Sequence, residues 1–196
     1  MNARSMTGTL VAAVLAAALP CATAQAADEK KAPMAPKPAA EMSGLKFFDG
    51  GWTCAGEGMM DPGGPMHKMT STVKSHSDLN GFWQSGMVKG TTPGMPGFEG
   101  MFHMTWDPAA KQYVMFWVDN MGGWSQTRAS GWDGNKIVFA GDSQMGTEKM
   151  GSRDTFVKNA DGSMHHTGEM EMGGKWVKGM EETCKKAAAA GAAAKK

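Results

Sequence analysis

Glycine-rich turns recur along this chain at spacings that leave no room for a long helix. The chain has 27 glycines in 196 residues, and they interrupt nearly every window in which a 3.6-residue period could develop. Between the turns lie short runs rich in aromatic residues, valine, threonine and methionine, which predict an all-β fold. The predicted strands are 52–58, 68–77, 82–89, 98–106, 112–119, 124–131, 136–141, 149–158, 164–172 and 175–184.

The connections between these runs have the composition of tight hairpins. Asn80-Gly81, Gly122-Gly123, Asp161-Gly162 and Gly173-Gly174 are typical examples, so successive strands should be antiparallel neighbours. Such a meander leaves two exposed edges unless the sheet closes on itself. We therefore expect a single antiparallel up-and-down β-barrel of about ten strands, with a two-sheet sandwich as the structural alternative.

The composition of both ends sets them apart from this domain. Residues 1–26 carry Arg4, an apolar run over 10–19 and the small-residue pattern Ala24-Gln25-Ala26, which predicts a signal peptide cleaved after Ala26. The alternative is a membrane anchor, but the run is shorter than the roughly 20 residues that span a bilayer. Residues 27–43 are charged and rich in proline, typical of a flexible linker, and 186–196 form a low-complexity Ala/Lys tail. The barrel domain is predicted over 44–185, in a periplasmic or secreted protein.

Two of the three cysteines are expected to form a disulfide. Cys21 lies in the predicted leader, and Pro20 before it does not suit a lipobox. In an oxidising compartment the remaining pair, Cys54 and Cys184, predicts a disulfide, with two free buried thiols as the alternative. Closing so long a loop contributes about 5 kcal/mol in the chain-entropy model.

The residues just before the first strand allow two interpretations. Leu45, Phe47 and Phe48 could form one helical turn that plugs an end of the barrel, or an extended lead-in. The formal net charge of the whole chain is +1, and loss of Arg4 with the leader leaves the mature chain neutral. Nucleic acid is therefore not an expected partner.

Several short motifs, in order, resemble a known family. They are Gly-Gly-Trp-Thr-Cys at 50–54, Gly-Phe-Trp at 81–83, Met-Thr-Trp-Asp-Pro at 104–108, Gly-Gly-Trp at 122–124, Ser-Gly-Trp at 130–132 and Glu-Thr-Cys-Lys at 182–185. Over 45–185 the chain resembles the secreted bacterial proteins of domain of unknown function 1579. The resemblance implies a lipocalin-like, calycin-type barrel without an established enzymatic activity, so no catalytic residue is carried over. The opening Gly51-Trp52 is also similar to the Gly-x-Trp start of lipocalins, a likeness of fold only.

Methionine largely replaces leucine and isoleucine in this chain, which has 20 methionines. An adaptable core, a yielding pocket for apolar ligands and soft-metal binding are three interpretations. Met66-His67, His103-Met104 and Met164-His165-His166 place thioethers beside imidazoles, but neighbouring residues of a strand point to opposite faces. His165-His166 also follows the turn at Asp161-Gly162, where exposed histidines are common. A copper or haem carrier is kept as an alternative function, and no cofactor is predicted.

The candidate ligand-binding residues are aromatic, methionine and arginine side chains of predicted strands: Trp83, Phe102, Met104, Trp106, Met115, Trp117, Arg128 and Arg153. The two arginines could clamp a ligand carboxylate inside the barrel, or could lie on a solvated strand face. Motifs of hydrolases, metalloproteases and phosphate-binding loops are missing from the sequence, so we predict a non-enzyme. The leading hypothesis is a protein that binds a small apolar or amphipathic ligand in the barrel. A packed structural or interaction domain of the cell envelope is the alternative from another class.

Overall fold

The first and last strands of the domain pair with each other and close the sheet. The computed structural model describes residues 35–94 and 96–187, and in these residues every strand is antiparallel to its sequence neighbours. The strands are β1 (Gly50–Met59), β2 (Met66–Asp78), β3 (Trp83–Thr91), β4 (Phe98–Asp107), β5 (Gln112–Asp119), β6 (Trp124–Ala129), β7 (Lys136–Met145), β8 (Glu148–Lys158), β9 (Met164–Met172) and β10 (Lys175–Lys186). The prediction of a closed ten-stranded up-and-down barrel is confirmed, and the sandwich is excluded.

The largest error in the predicted strand bounds concerns β7. This strand continues past Gly141 to Met145, although the sequence analysis ended it at that glycine. Gly141 pairs with Thr127 on one side and Ser152 on the other, so it lies inside the sheet. A Cβ at this position would lie 2.4 Å from the carbonyl oxygen of Gln126. This glycine allows close packing of the backbone and does not mark a turn.

The disulfide forms at the closure of the barrel. Cys54 of β1 lies directly opposite Cys184 of β10 in the antiparallel register, and the two sulfur atoms are bonded. Both side chains are fully buried. The predicted Cys54–Cys184 bond is therefore confirmed, and it joins residues that are 130 positions apart in sequence.

A 3₁₀ helix, Ala40–Phe48, plugs one end of the barrel. It begins within residues 27–43, which were predicted to be a linker. Of the two interpretations for Leu45, Phe47 and Phe48, a helical turn or an extended lead-in, the helical one is confirmed. Leu45 and Phe48 are buried on the side that faces the strands. Three side chains of the barrel donate hydrogen bonds to carbonyl oxygens near this helix: Trp52 Nε1 to Phe48 (3.0 Å), Tyr113 Oη to Glu41 (2.6 Å) and Trp132 Nε1 to Gly44 (3.0 Å).

The apolar core fills the half of the barrel next to this 3₁₀ helix. Strand alternation directs Trp52, Met104 and Phe139 inward, where each is almost completely buried. Phe48 of the helix packs edge-on against Phe156 of β8, with ring centroids 5.2 Å apart. On β4, Phe102 and Met104 are buried in this core.

The predicted leader, with Cys21, lies outside the described residues, as do residues 27–34 of the predicted linker and 188–196 of the tail. Within the described part of the chain, no helix is long and apolar enough to cross a membrane.

Candidate ligand site inside the barrel

Side chains are less completely buried in the half of the barrel away from the 3₁₀ helix than in the core. Inward-facing side chains of β8 to β10 remain partly exposed there: 26% of the Asp154 side chain and 16% of the His166 side chain are accessible to solvent. Met170 and Met180, further toward the open end, are also only partly buried. Solvent therefore reaches the inside of the barrel from the end opposite the helix. We call this space the open half.

A charged network crosses the inner wall beside this space. His166 of β9 lies between two carboxylates: its Nε2 is 3.0 Å from Asp154 Oδ1, and its Nδ1 is 3.4 Å from Glu182 Oε1. Ser71 of β2 donates a hydrogen bond of 2.9 Å to the other oxygen of Glu182. The ring of Phe156 stacks on the imidazole at 4.2 Å between centroids. Four strands and the closure of the barrel are needed to assemble this network.

The carboxylates hold His166 in its charged form. Burial lowers the pKa of His166, but its hydrogen bonds to Asp154 and Glu182 and the charges of both carboxylates outweigh burial and raise the pKa to about 9. Both ring nitrogens of the imidazolium are then donors. Both nitrogens are engaged by carboxylates, which argues against His166 as the ligand of a metal or haem iron.

Two inward-facing hydroxyl groups have no hydrogen-bond partner. They are Thr127 Oγ1 on β6 and Ser152 Oγ on β8, and the statement covers partners among the described residues. Thr127 is completely buried. Gly141 lies between the two residues in the register, so no side chain separates them along the wall. Because a buried hydroxyl without a partner costs about 1–3 kcal/mol, these two groups are suited to bind a polar group of a ligand.

The arginines considered in the sequence analysis lie on the outer face. Arg153 donates two hydrogen bonds, of 2.7 and 2.8 Å, to Glu169, and its guanidinium lies 4.4 Å from the centre of the Trp176 ring. Arg128 donates a hydrogen bond of 2.9 Å to Asp107. Their neighbours in sequence, Thr127 and Ser152, face inward, so strand alternation directs both guanidinium groups outward.

The other candidate residues are divided between the two faces. Phe102, Met104 and Met115 lie in the buried core, whereas Trp83 packs against Phe116 on the outside, with ring centroids 6.2 Å apart. Trp106 contacts Tyr113 near the 3₁₀ helix. Trp117 faces inward nearer the open end, where its ring stacks on Phe98 and its Nε1 donates to Asp119. Of the aromatic candidates, Trp117 is the one best placed to contact a ligand in the open half.

The functional interest of His166 was not apparent from the sequence. The position of His165-His166 near a turn predicted an exposed pair, but strand alternation places only His165 on the outside. There His165 lies near the hydroxyl groups of Thr183 and Thr167. The alternation of Met164, His166, Gly168 and Met170 was a signal for one shared face, although it did not say which face was inside.

One further cluster has the proximity expected of a metal site but the wrong chemistry. Potential ligand atoms of Cys54, Cys184 and Glu182 lie within 4.8 Å of one another. The two sulfur atoms are bonded to each other, so they do not act as thiolate ligands. This cluster is therefore the closure of the barrel with a buried carboxylate beside it.

The fold and the network define a closed antiparallel barrel with a packed end and an open, charged end. The family model described as a protein of unknown function (DUF1579) matches residues 37–186, and the chain belongs to this family. The resemblance noted from the motifs is thereby confirmed.

Comparison with individual proteins adds information about the fold alone. The chain matches no curated protein. Among solved structures it is similar to Rv2717c from M. tuberculosis, with a TM-score of 0.59 and 10% sequence identity. The similarity covers 77% of this chain and 99% of that chain. At this identity the two proteins share an architecture, and no ligand or activity follows from it.

Proposed function

We propose that this protein binds a small amphipathic ligand in the open half of the barrel. The observation that carries the proposal is the pair of hydroxyl groups without partners, Thr127 Oγ1 and Ser152 Oγ, on the same inner wall as the partly exposed Asp154. Met170, Met180 and Trp117 add apolar surface toward the open end. Polar groups and thioethers on one inner wall, with Ser152 opposite Met170 in the register, suit a ligand with one polar and one apolar end.

The proposal places the protein in the periplasm or outside the cell. The leader-like residues 1–26 support secretion, and the Cys54–Cys184 bond is typical of an oxidising compartment. The proposed role is binding without catalysis, because His166 is an imidazolium engaged by carboxylates on both sides. A histidine in that state does not accept a proton from a substrate.

Binding can be tested with a neutral fluorescent probe, N-phenyl-1-naphthylamine, and displacement by 1-decanol. We expect saturable binding of one probe per chain and quenching of tryptophan fluorescence, since Trp117 faces the site. The substitution Ser152→Phe should fill the space and weaken binding at least about tenfold, because its ring would occupy the volume of the ligand.

Thr155→Phe is the matched control, since Thr155 lies on the same strand and strand alternation directs it outward. It should leave probe affinity unchanged. Binding that does not saturate in the unsubstituted protein, or equal affinity of both variants and the unsubstituted protein, would contradict the proposal.

A specific surface feature favours a second candidate function, that of an interaction domain. Met87, Met101, Val118 and Trp124 are direct cross-strand neighbours on β3 to β6, and strand alternation places all four on the outer face. Each is between 38% and 48% exposed. Contiguous exposed apolar side chains of this kind mark interaction surfaces. We refer to these four residues as the outer apolar row.

A further inference from the structure

We propose that the ligand of the open half is a cationic amphiphile, an organic ammonium with a short apolar body, whose ammonium group binds the Asp154 carboxylate. This inference rests on the proposed function and names the chemical class of its ligand. Two observations support it. The inner wall carries a net negative charge, and one carboxylate oxygen of the network, Asp154 Oδ2, has no donor among the described side chains.

The inner wall of the open half is negatively charged. Asp154 and Glu182 carry two negative charges, and the imidazolium of His166 balances one of them. Among the described residues, the inner rows at the level of Thr127, Asp154 and His166 contain no lysine or arginine. A cation entering this space is attracted by the remaining charge, and a carboxylate is repelled by it.

The basic residues of the surrounding elements are held elsewhere. The guanidinium groups of Arg128 and Arg153 are on the outer face, each paired with a carboxylate. Lys158 and Lys186 lie at the plugged end, where their Nζ atoms contact the rings of Trp132 (3.3 Å) and Trp52 (3.9 Å). In the described part of the chain, the clamp for a ligand carboxylate considered in the sequence analysis therefore has no arginine or lysine in the open half, and the imidazolium of His166 is already engaged by Asp154 and Glu182.

The carboxylates of the network differ in their remaining capacity to accept hydrogen bonds. Glu182 is buried, and its two oxygens already interact with Ser71 and His166. Asp154 uses Oδ1 for His166, while its Oδ2 has no donor among the described side chains. Asp154 is also the more exposed of the two, at 26% against 6%. Asp154 Oδ2 is therefore the anionic acceptor available to a ligand.

The hydroxyl groups without partners complete the site for an ammonium. Ser152 and Asp154 are alternate residues of β8, so their Cβ atoms share the inner face at a spacing of about 7 Å. An ammonium group has three donors and needs several acceptors. Asp154 Oδ2 and the hydroxyl oxygen of Ser152 supply acceptors of that kind. A bare divalent cation fits less well, because it requires six or more oxygen ligands and Glu182 is already engaged.

The test compares three ligands of equal chain length: decylammonium, 1-decanol and decanoate. Affinities are measured at pH 7 by displacement of N-phenyl-1-naphthylamine from the unsubstituted protein. We expect decylammonium to bind about 10-fold to 100-fold more tightly than 1-decanol, the range expected for a charged hydrogen bond, and decanoate to bind most weakly. Asp154→Asn should remove the preference for decylammonium and leave the affinity for 1-decanol unchanged.

Asp142→Asn is the matched control, since Asp142 pairs with Lys149 on the outer face and its loss should not alter selectivity. If 1-decanol binds but decanoate binds as well as decylammonium, or Asp154→Asn retains the preference, the cationic class is wrong and the proposed function stands. If none of the three ligands displaces the probe, or no probe binds, both proposals fail. The comparison in the unsubstituted protein decides the question even if Asp154→Asn does not fold.

Discussion

At the scale of single residues, His166 links the stability of the barrel to its candidate site. Its ring nitrogens contact Asp154 and Glu182, and one face of its ring is covered by Phe156. Removing the imidazolium would leave two inward carboxylates without their cation, and breaking a buried ion pair in this way costs about 3–5 kcal/mol. The same interactions that orient Asp154 toward the open half thus contribute to holding β8, β9 and β10 together.

The raised pKa of His166 predicts how stability depends on pH. Its folded value of about 9 lies above the unfolded value of 6.5, so the folded state binds the proton more tightly. The stabilisation is fully present below pH 6.5 and is lost as pH rises through about 9. The loss is on the order of 3 kcal/mol. Urea unfolding at several pH values between 6 and 10 measures it.

His166→Gln should be less stable at pH 6 and should lose this dependence on pH. His165→Gln is the matched control, because His165 is next to His166 in β9 but lies on the outer face. This variant should keep the pH dependence of stability seen in the unsubstituted protein. If the free energy of unfolding of the unsubstituted protein is the same at pH 6.5 and pH 9, the charged network around His166 is wrong.

At the scale of elements, strands β3 to β6 carry apolar side chains on their outer face as well as on their inner face, and β5 is apolar on both faces along most of its length. Their inner faces pack into the core, and their outer faces carry the outer apolar row, Met87, Met101, Val118 and Trp124. On the outer face of β5, Val114 is buried, but Phe116 and Val118 remain substantially exposed. Since soluble monomers rarely expose contiguous apolar side chains without a function, this face is the structural basis of the second candidate function.

The first partner to test on the outer apolar row is a second copy of the chain, because an apolar patch that packs on the same patch of another copy produces a symmetric dimer. We expect sedimentation velocity to show concentration-dependent dimers. Met101→Lys, in the middle of the row, should weaken dimerisation about tenfold or more by placing a charge in the contact.

Thr53→Lys on the outer face of β1, across the barrel from β5, is the control and should not affect assembly. A protein that remains monomeric at all concentrations excludes self-association through this row.

At the scale of the whole molecule, closure of the sheet creates the interior of the barrel. The pairing of β1 with β10 removes both sheet edges and brings Ser71 of β2 beside Glu182 of β10. The disulfide lies in this pairing, on the same face of β10 as Glu182. The same contact that closes the barrel therefore also completes the charged network.

The disulfide prediction follows from this position. Cys54→Ser combined with Cys184→Ser should lower the free energy of unfolding by about 2–5 kcal/mol, chiefly because the unfolded chain gains freedom when a loop of this length opens. The measurement is the urea midpoint and slope of the variant against the oxidised protein. The two serine side chains are not expected to prevent closure, since the strand pairing remains. Equal stability of the two proteins would show that the disulfide contributes little beyond that pairing.

The sequence by itself determined the number of strands, their order and the disulfide. Glycine and Asx residues at the turns are local signals, because a tight hairpin requires positive φ angles there, as at Gly122 and Gly162. Because Cys21 belongs to the predicted leader, Cys54 and Cys184 were the only pair of cysteines that remained for a disulfide. Gly141 was the exception, since a glycine needed for close packing within a sheet has the same local signal as a glycine in a turn.

Only the tertiary structure decided which side chains line the interior. In β6 the alternating sets are Trp124, Gln126, Arg128 and Ser125, Thr127, Ala129, and the sequence left open whether Arg128 faces the interior or solvent. The structure places Thr127 inside and Arg128 outside. Alternation in sequence establishes that neighbours face opposite ways, but the inner face is chosen by register with distant strands and by closure of the sheet. For that reason the sequence was sufficient for the barrel, whereas the charged network around His166 depended on the closed sheet.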